Sequence, residues 1–222
     1  MSVLPTLLGD NMRRILAMLI AASFTYGVNA SWARTDTVAH WSFEGGVPDT
    51  VASGVNSILD SSGNNLHGTP LDGPVYRMMT DSHGSLGLGF DGVNDRVTIA
   101  DDPLFELTQS LTLEAIIRIN SLTGASQMIV VRMDDRGGLD PYQLKVTREG
   151  LALFIFDSPT ERTSLVSPDS LPLNETVHLA GTLDDATGEM KLYVNGSVSA
   201  EKITDQRPIG QLETGRRPGV GR

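Results

Sequence analysis

Two runs of apolar alternation joined by a polar turn, HLAGTLDDATGEMKLYVNG from His178 to Gly196, constrain this chain more than any other stretch. Successive side chains on a strand point to opposite faces. Val177, Leu179 and Leu183 therefore share one face of the first run, and Met190, Leu192 and Val194 share one face of the second. Asp184, Asp185, Ala186, Thr187 and Gly188 between them are turn formers, and Asn195-Gly196 supplies the next reversal. The spacing predicts a β-hairpin with one face in a core.

The same alternation recurs from Thr37 onward between Gly, Asn, Asp and Pro, with no amphipathic helical stretch of useful length. Candidate strands are Val38 to Phe43, Leu86 to Phe90, Arg96 to Ile99, Met128 to Arg132, Tyr142 to Thr147, Leu151 to Phe156 and Arg162 to Val166. Leu86 to Phe90 and Arg96 to Ile99 are expected to pair around Asp91-Gly92-Val93-Asn94-Asp95. Leu111, Leu113, Ala115, Ile117 and Ile119 line one face of a long strand, with Thr112, Glu114, Ile116 and Arg118 on the other. Gly45 to Pro74 is turn-rich and reads as a long loop with one short strand. With 23 glycines and 11 prolines in 222 residues, the fold class is all-β, an antiparallel two-sheet β-sandwich or jelly roll in one domain.

The net charge of −10 and the lack of any Lys/Arg run exclude a nucleic-acid surface, which needs basic residues to displace counterions. With no cysteine, disulfides, zinc-thiolate sites and thiol nucleophiles are excluded too. At the N-terminus, Met12-Arg13-Arg14 precedes an apolar run from Ile15 to Ala22 and then small and polar residues, the pattern of a secretory signal. The expected organisation is a leader over residues 1–33, starting at Met12 and cleaved after Ala30 or Ala33, then a domain over 34–222. The run is shorter than the roughly 20 apolar residues a helical span needs, so no stable membrane insertion is expected after cleavage. The product is expected to be secreted, periplasmic or on the cell surface.

Five phrases occur in a characteristic order. They are His40-Trp41-Ser42-Phe43-Glu44-Gly45, Asp60-Ser61-Ser62-Gly63-Asn64-Asn65-Leu66-His67-Gly68, Phe90-Asp91-Gly92-Val93-Asn94-Asp95, Ser110-Leu111-Thr112-Leu113-Glu114-Ala115 and the Leu179 to Gly196 hairpin. Together they resemble the laminin-G-like, concanavalin A-like lectin/glucanase jelly-roll domains from about Val38 to the last residue. The resemblance implies two curved antiparallel sheets and a role in adhesion or glycan binding. It also implies a closing strand after the Ile-Gly-Arg-like phrase, pairing with the first strand near Trp41. The sequence stops at Gly219-Val220-Gly221-Arg222, so that C-terminal strand is expected to be missing and the domain incomplete. Ile116, Val177 and Leu183 stand where similar domains often carry aromatic residues. Aliphatic packing thus replaces rings on which sugars could stack, and Trp41 is expected in the core.

Asp60-Ser61-Ser62-Gly63-Asn64-Asn65 is the one candidate metal loop. Ca²⁺ takes six to eight oxygen ligands, and a glycine lets the backbone bend so that carbonyls and side chains converge. Asp60 would be the charged ligand, Asn64 would give its amide oxygen, Gly63 its carbonyl and Glu44 a second carboxylate. The resemblance implies calcium at this kind of loop. The competing reading is an Asx turn in which Asp60 and the glycine only reverse the chain. Asp101-Asp102-Pro103 and Asp134-Asp135 read as turns.

Nothing in the sequence specifies catalysis. Glu114 has Thr112 and Ile116, not a second carboxylate, as same-face neighbours, and retaining glycosidases need two carboxylates about 5 Å apart. His40, His67, His83 and His178 form no zinc motif. The expected function is a secreted, non-catalytic recognition module binding a glycan or an extracellular protein surface, with Ca²⁺ ordering its loops. The alternative is a structural or adhesive domain of a larger envelope protein, and a polysaccharide-active enzyme ranks below both.

Overall fold

A computed structural model describes residues 37–79, 85–122, 125–133 and 139–211, together with the backbone of 14–18. The expected start at Met12, the cleavage sites after Ala30 and Ala33, His83, the Asp134-Asp135 cluster and the end at Gly219 to Arg222 lie outside these residues. In chain order the strands are β1 (Arg14–Met18), β2 (Thr37–Ala39), β3 (Gly68–Leu71), β4 (Val75–Met78), β5 (Leu86–Gly89), β6 (Arg96–Ile99) and β7 (Leu111–Arg118). They continue with β8 (Gln127–Arg132), β9 (Tyr142–Val146), β10 (Leu151–Asp157), β11 (Arg162–Ser170), β12 (Thr176–Leu183), β13 (Glu189–Val194) and β14 (Ser197–Ile203).

A six-stranded sheet in the order β14-β13-β12-β7-β1-β2 faces a four-stranded antiparallel sheet, β11-β10-β9-β8. Alternation places Leu111, Leu113 and Ala115 of β7, Val177, Leu179 and Leu183 of β12, and Met190 and Leu192 of β13 inward, and all are buried. Leu144, Phe154, Phe156 and Leu165 meet them from the other sheet. Gly181 marks the contact between the layers: a Cβ there would lie 2.5 Å from Phe154 Cγ, so only glycine lets this ring settle against β12. The jelly-roll sandwich is therefore the observed architecture. The hairpin also forms as its pattern requires, with Leu183 opposite Met190 and Leu179 opposite Val194.

Asp184 closes that hairpin by accepting from the backbone N–H groups of Ala186 and Thr187, both at 3.0 Å from Oδ1. Gly188 follows at φ +70°, its position pinned because a Cβ would approach Thr204 O to 2.3 Å.

Two strand expectations change. Leu86 to Phe90 and Arg96 to Ile99 do not pair: β5 pairs with β4, and β6 pairs with β3. The turn between them folds on itself instead, Asp91 Oδ1 accepting from Val93 N at 2.8 Å and Asp95 Oδ2 from Asp91 N at 2.9 Å. Glycine then admits the other partner, since a Cβ on Gly68 would meet Val97 Cγ1 at 2.5 Å. The first strand is also shorter than Val38 to Phe43: β2 ends at Ala39, Trp41 makes an isolated bridge to Asp60, and Phe43 at φ +62° leaves the extended region.

The backbone of β1 falls in the segment that reads as a leader and runs parallel between β2 and β7, with Leu16 opposite Leu113 and Ala17 opposite Glu114. The place beside β2, where the closing strand was expected, is the place β1 takes.

Candidate functional site

The Asp60 loop is built around one carboxylate. Oδ1 of Asp60 accepts from His40 N and Ser62 N, each at 2.9 Å. Oδ2 accepts from Ser62 Oγ at 2.8 Å and Leu66 N at 3.0 Å. The Asp60 N–H donates to His67 Nδ1 at 2.9 Å, which fixes that ring's acceptor nitrogen. Beneath the loop, Trp41 is 5% exposed and its indole Nε1 donates to Leu66 O at 2.8 Å, so Trp41 is a core residue that ties β2 to the loop. Burial pushes the Asp60 carboxyl up, but the donors from His40, Ser62 and Leu66 outweigh it and leave the group below its usual value.

These contacts occupy the oxygens a calcium ion would need. An ionised carboxylate offers about four lone-pair directions, and on Asp60 all four meet a donor. Asn64 turns its amide nitrogen toward β2, donating to Val38 O at 2.9 Å and Thr37 O at 3.2 Å. Glu44 Oε1 accepts from Leu86 N at 3.2 Å, which ties it to β5. Gly63 holds a φ of +98°, the bend that lets the loop return. Among the described residues no group of three or more His, Asp or Glu side chains is arranged to hold a metal ion. As they stand, Asp60 accepts four bonds within its loop, Asn64 is tied to β2 and Glu44 is tied separately to β5, so with Gly63 they do not present a converging donor set that fits Ca²⁺.

A second group of side chains lies on the outer face of the six-stranded sheet, and the strand register orders it into rows. One row reads Thr112, Thr182, Lys191 and Glu201 across β7, β12, β13 and β14. The next reads Glu114, Ala180, Tyr193 and Val198, and a third pairs Ile116 with His178. His178 Nε2 and Glu114 Oε1 lie 2.8 Å apart, and both side chains are partly open to solvent. Lys191 Nζ sits 2.8 Å from Glu189 Oε2 and 3.9 Å from Glu201 Oε2. The hydrogen bond that Lys191 donates to Glu189, joined by the negative charge of the neighbouring acids, holds the ammonium above its usual pKa. Ala180 is buried between Glu114 and Tyr193, so the half-exposed Tyr193 ring stands beside a low point in the face.

This face combines one aromatic ring, a linked acid and imidazole, an ammonium and two threonine hydroxyls on three adjacent strands of one sheet. Such a set can stack against a flat apolar surface and hydrogen-bond to hydroxyls around it. The partner of Glu114 is His178 and its cross-strand neighbour is Ala180, so Glu114 has no second carboxylate directly beside it. Glu114 and His178 were each visible in the sequence, but not as a pair. Tyr193 was missed, although the alternation that sends Met190, Leu192 and Val194 inward sends Lys191 and Tyr193 outward. An open cleft of about 490 Å³ beside Thr108, Pro159 and Pro208 offers less, because its Arg207 is held by Asp185 at 2.6 Å.

A protein-family model described as the concanavalin A-like lectin/glucanases superfamily, a laminin G type, matches residues 91–220, more than half of the chain. The chain belongs to this family. The concanavalin A-like assignment agrees with the sandwich and with the phrases from Phe90 onward. Among solved structures, the binding domain of Paraclostridial Mosquitocidal Protein 1 matches at 18% identity and TM-score 0.51, over 76% of this chain and 44% of that one. The Ruminococcus gnavus IT-sialidase CBM40 bound to alpha2,3 sialyllactose matches at 16% identity and TM-score 0.40, over 46% of this chain and 57% of that one. Mouse laminin alpha1 chain domains LG4-5 match at 17% identity and TM-score 0.38, over 51% and 30%. At these identities the likeness is one of fold, and this chain spans little more than half, or less, of each neighbour. A comparison with curated proteins gives no match. No helix among the described residues is long and apolar enough to cross a membrane.

Proposed function

We propose that this concanavalin A-like domain is a non-catalytic recognition module of an exported protein, and that it binds a glycan or a protein surface through the outer face of its six-stranded sheet. The observation that carries this reading is the pair of neighbouring rows that place Tyr193, the Glu114–His178 pair and Lys191 on one solvent-facing surface. Binding by such a face needs no moving parts, because the backbone beneath it is locked in ladders on both sides. The fold neighbours that are carbohydrate-binding modules and toxin binding domains support the same broad role. Calcium takes no part in the proposal. Export rests on the charge, apolar and small-residue pattern of residues 12–33.

A glycan array probed with the full chain tests the reading, with a reducing-sugar assay on the same polysaccharides alongside. Array hits without released sugar ends support recognition. Release of reducing ends would replace it with an enzyme, and a silent array with protein partners only in cross-linking would favour the structural or adhesive role.

A further inference from the structure

The outer face of the four-stranded sheet, on the far side of the molecule from Tyr193, is aliphatic with two polar groups set into it. One row reads Met128, Lys145, Leu153 and Val166 across β8, β9, β10 and β11, and the next places Gln143 beside Ile155. None of the four apolar members belongs to the core between the sheets, and Met128 and Val166 are 48% and 42% exposed. Gln143 is 3% exposed. Its Nε2 donates to Asp140 Oδ2 at 2.8 Å, which fixes the orientation of the amide, and its Oε1 has no hydrogen-bond partner among the described residues. A buried acceptor in that state costs stability, and a donor from outside would recover it. Lys145 follows two residues on, on the same face and about 6–7 Å away along the strand. It makes no ion pair or side-chain hydrogen bond among the described residues. Arg162 close by is already held, its Nε and Nη2 on Asp157 at 2.8 and 3.0 Å. Burial, joined by the positive charge of Arg162 and only partly offset by Asp140, pushes the Lys145 ammonium below its usual pKa. That is how a cation behaves when it is half out of water without a counter-ion beside it.

We infer that this face docks an acidic, apolar segment of a partner protein, whose carboxylate meets Lys145 Nζ and whose N–H meets Gln143 Oε1. The two unmet groups are of opposite kind, one a charged donor and one a neutral acceptor, so the partner must bring an anion and a donor together. A polypeptide with Asp or Glu between apolar residues brings both, and it lays its apolar side chains on Met128, Leu153 and Val166. A glycan is the poorer match, because these residues include no aromatic ring on which a sugar could stack. Nucleic acid and anionic lipid are poorer still, since one unpaired ammonium does little against a net charge of −10. Gln143 Oε1 is out of contact with water, so docking includes a shift of the flexible Lys145 stem toward the partner's carboxylate. This surface and the face bearing Tyr193 are separate, and neither reading needs the other.

The test selects random peptides displayed on phage against the folded full chain and, in parallel, against Lys145→Met, which keeps an unbranched side chain and removes the charge. The expected result is enrichment on wild type of sequences with Asp or Glu flanked by apolar residues, and loss of that enrichment on the variant. The most enriched peptide, made synthetically and titrated calorimetrically, should bind wild type and Tyr193→Ala alike. It should bind Lys145→Met at least tenfold and Gln143→Leu at least fivefold more weakly. Gln143→Leu should melt no lower than wild type, because it removes an unmet acceptor, and this separates lost docking from lost folding. The inference is overturned by an absence of enrichment, by a basic or uncharged consensus, or by equal binding to Lys145→Met. A wild-type dimer on gel filtration that Lys145→Met dissolves would also overturn it, by making a second copy of this chain the occupant. Peptide binding lost in Tyr193→Ala but kept in Lys145→Met would overturn it by moving the site to the other sheet, while the glycan array judges that sheet independently.

Discussion

Replacing Asp60 with alanine should cost this domain a large part of its stability, and the size of the loss follows from where its four donors lie. The bonds from His40 N, Ser62 N and Ser62 Oγ lie at partly buried positions where water recovers part of each, and Leu66 N is buried above Trp41, so the four together lose the equivalent of about two charge-assisted bonds without replacement. A hydrogen bond to a charged group contributes about 1.5–3 kcal/mol, and a buried donor left unmet costs a similar amount. Two such losses come to roughly 3–4 kcal/mol. For a domain of this size each kcal/mol moves the melting temperature by about 2–4 °C, so Asp60→Ala should melt about 10 °C lower. The acid side adds a second signature. Because the folded pKa of Asp60 is depressed, its contribution is fully present above the unfolded value near 3.9 and disappears as pH falls through the folded one. Wild-type stability should therefore decline below about pH 4 more steeply than that of the variant. Differential scanning calorimetry of both proteins across pH, with and without millimolar Ca²⁺, reads all of this. A variant melting within about 2 °C of wild type would refute this role of Asp60. A Ca²⁺-dependent rise in the wild-type melt that vanishes in Asp60→Ala would show instead that the carboxylate is a metal ligand.

Three further outcomes are expected. Gly188→Ala combines a positive φ with a Cβ 2.3 Å from Thr204 O, so it should lower stability by about 2 kcal/mol or more in urea melts; an unchanged midpoint would mean the turn is not held as described. Gly181→Ala should cost about 1–3 kcal/mol by displacing the Phe154 ring, and its near-ultraviolet circular dichroism should change with it. Burial pushes the Tyr142 phenol well above its usual pKa, while its hydroxyl donates to Phe105 O at 3.1 Å. That contribution is whole below the unfolded pKa near 10 and declines as pH rises toward the folded value, so Tyr142→Phe should melt with a weaker alkaline decline than wild type.

The sandwich was legible because its determinants are local. Leu111 to Ile119 and the Val177 to Val194 hairpin carry a strict period of two, and a one-residue slip would turn every core residue of β7 or β12 to solvent. Pairing was less legible where alternation is short. Leu86 to Gly89 and Arg96 to Ile99 look like a hairpin, yet Asp91 closes the intervening loop on itself and Gly68 admits β3 beside β6. Neither effect has a periodicity. At the Asp60 loop the sequence left a cation site and a turn equally open, because both use the same oxygens. Only the positions of His40, Ser62 and Leu66 show where those oxygens point. The sheet face was hidden for a different reason: Glu114, His178 and Tyr193 are dispersed along the chain, and the cross-strand register alone makes them neighbours.

Binding through the outer face of the six-stranded sheet is tested most directly by probing one glycan array with wild type and with Tyr193→Ala, each in the presence of chelator. Tyr193 projects outward from β13, so its removal should leave the melt nearly unchanged while removing stacking worth about 1 kcal/mol or more. The expected result is a set of wild-type hits that survive chelator and fall at least fivefold in the variant. Hits that persist in Tyr193→Ala, or that vanish with chelator alone, would place recognition elsewhere on the molecule and contradict the account.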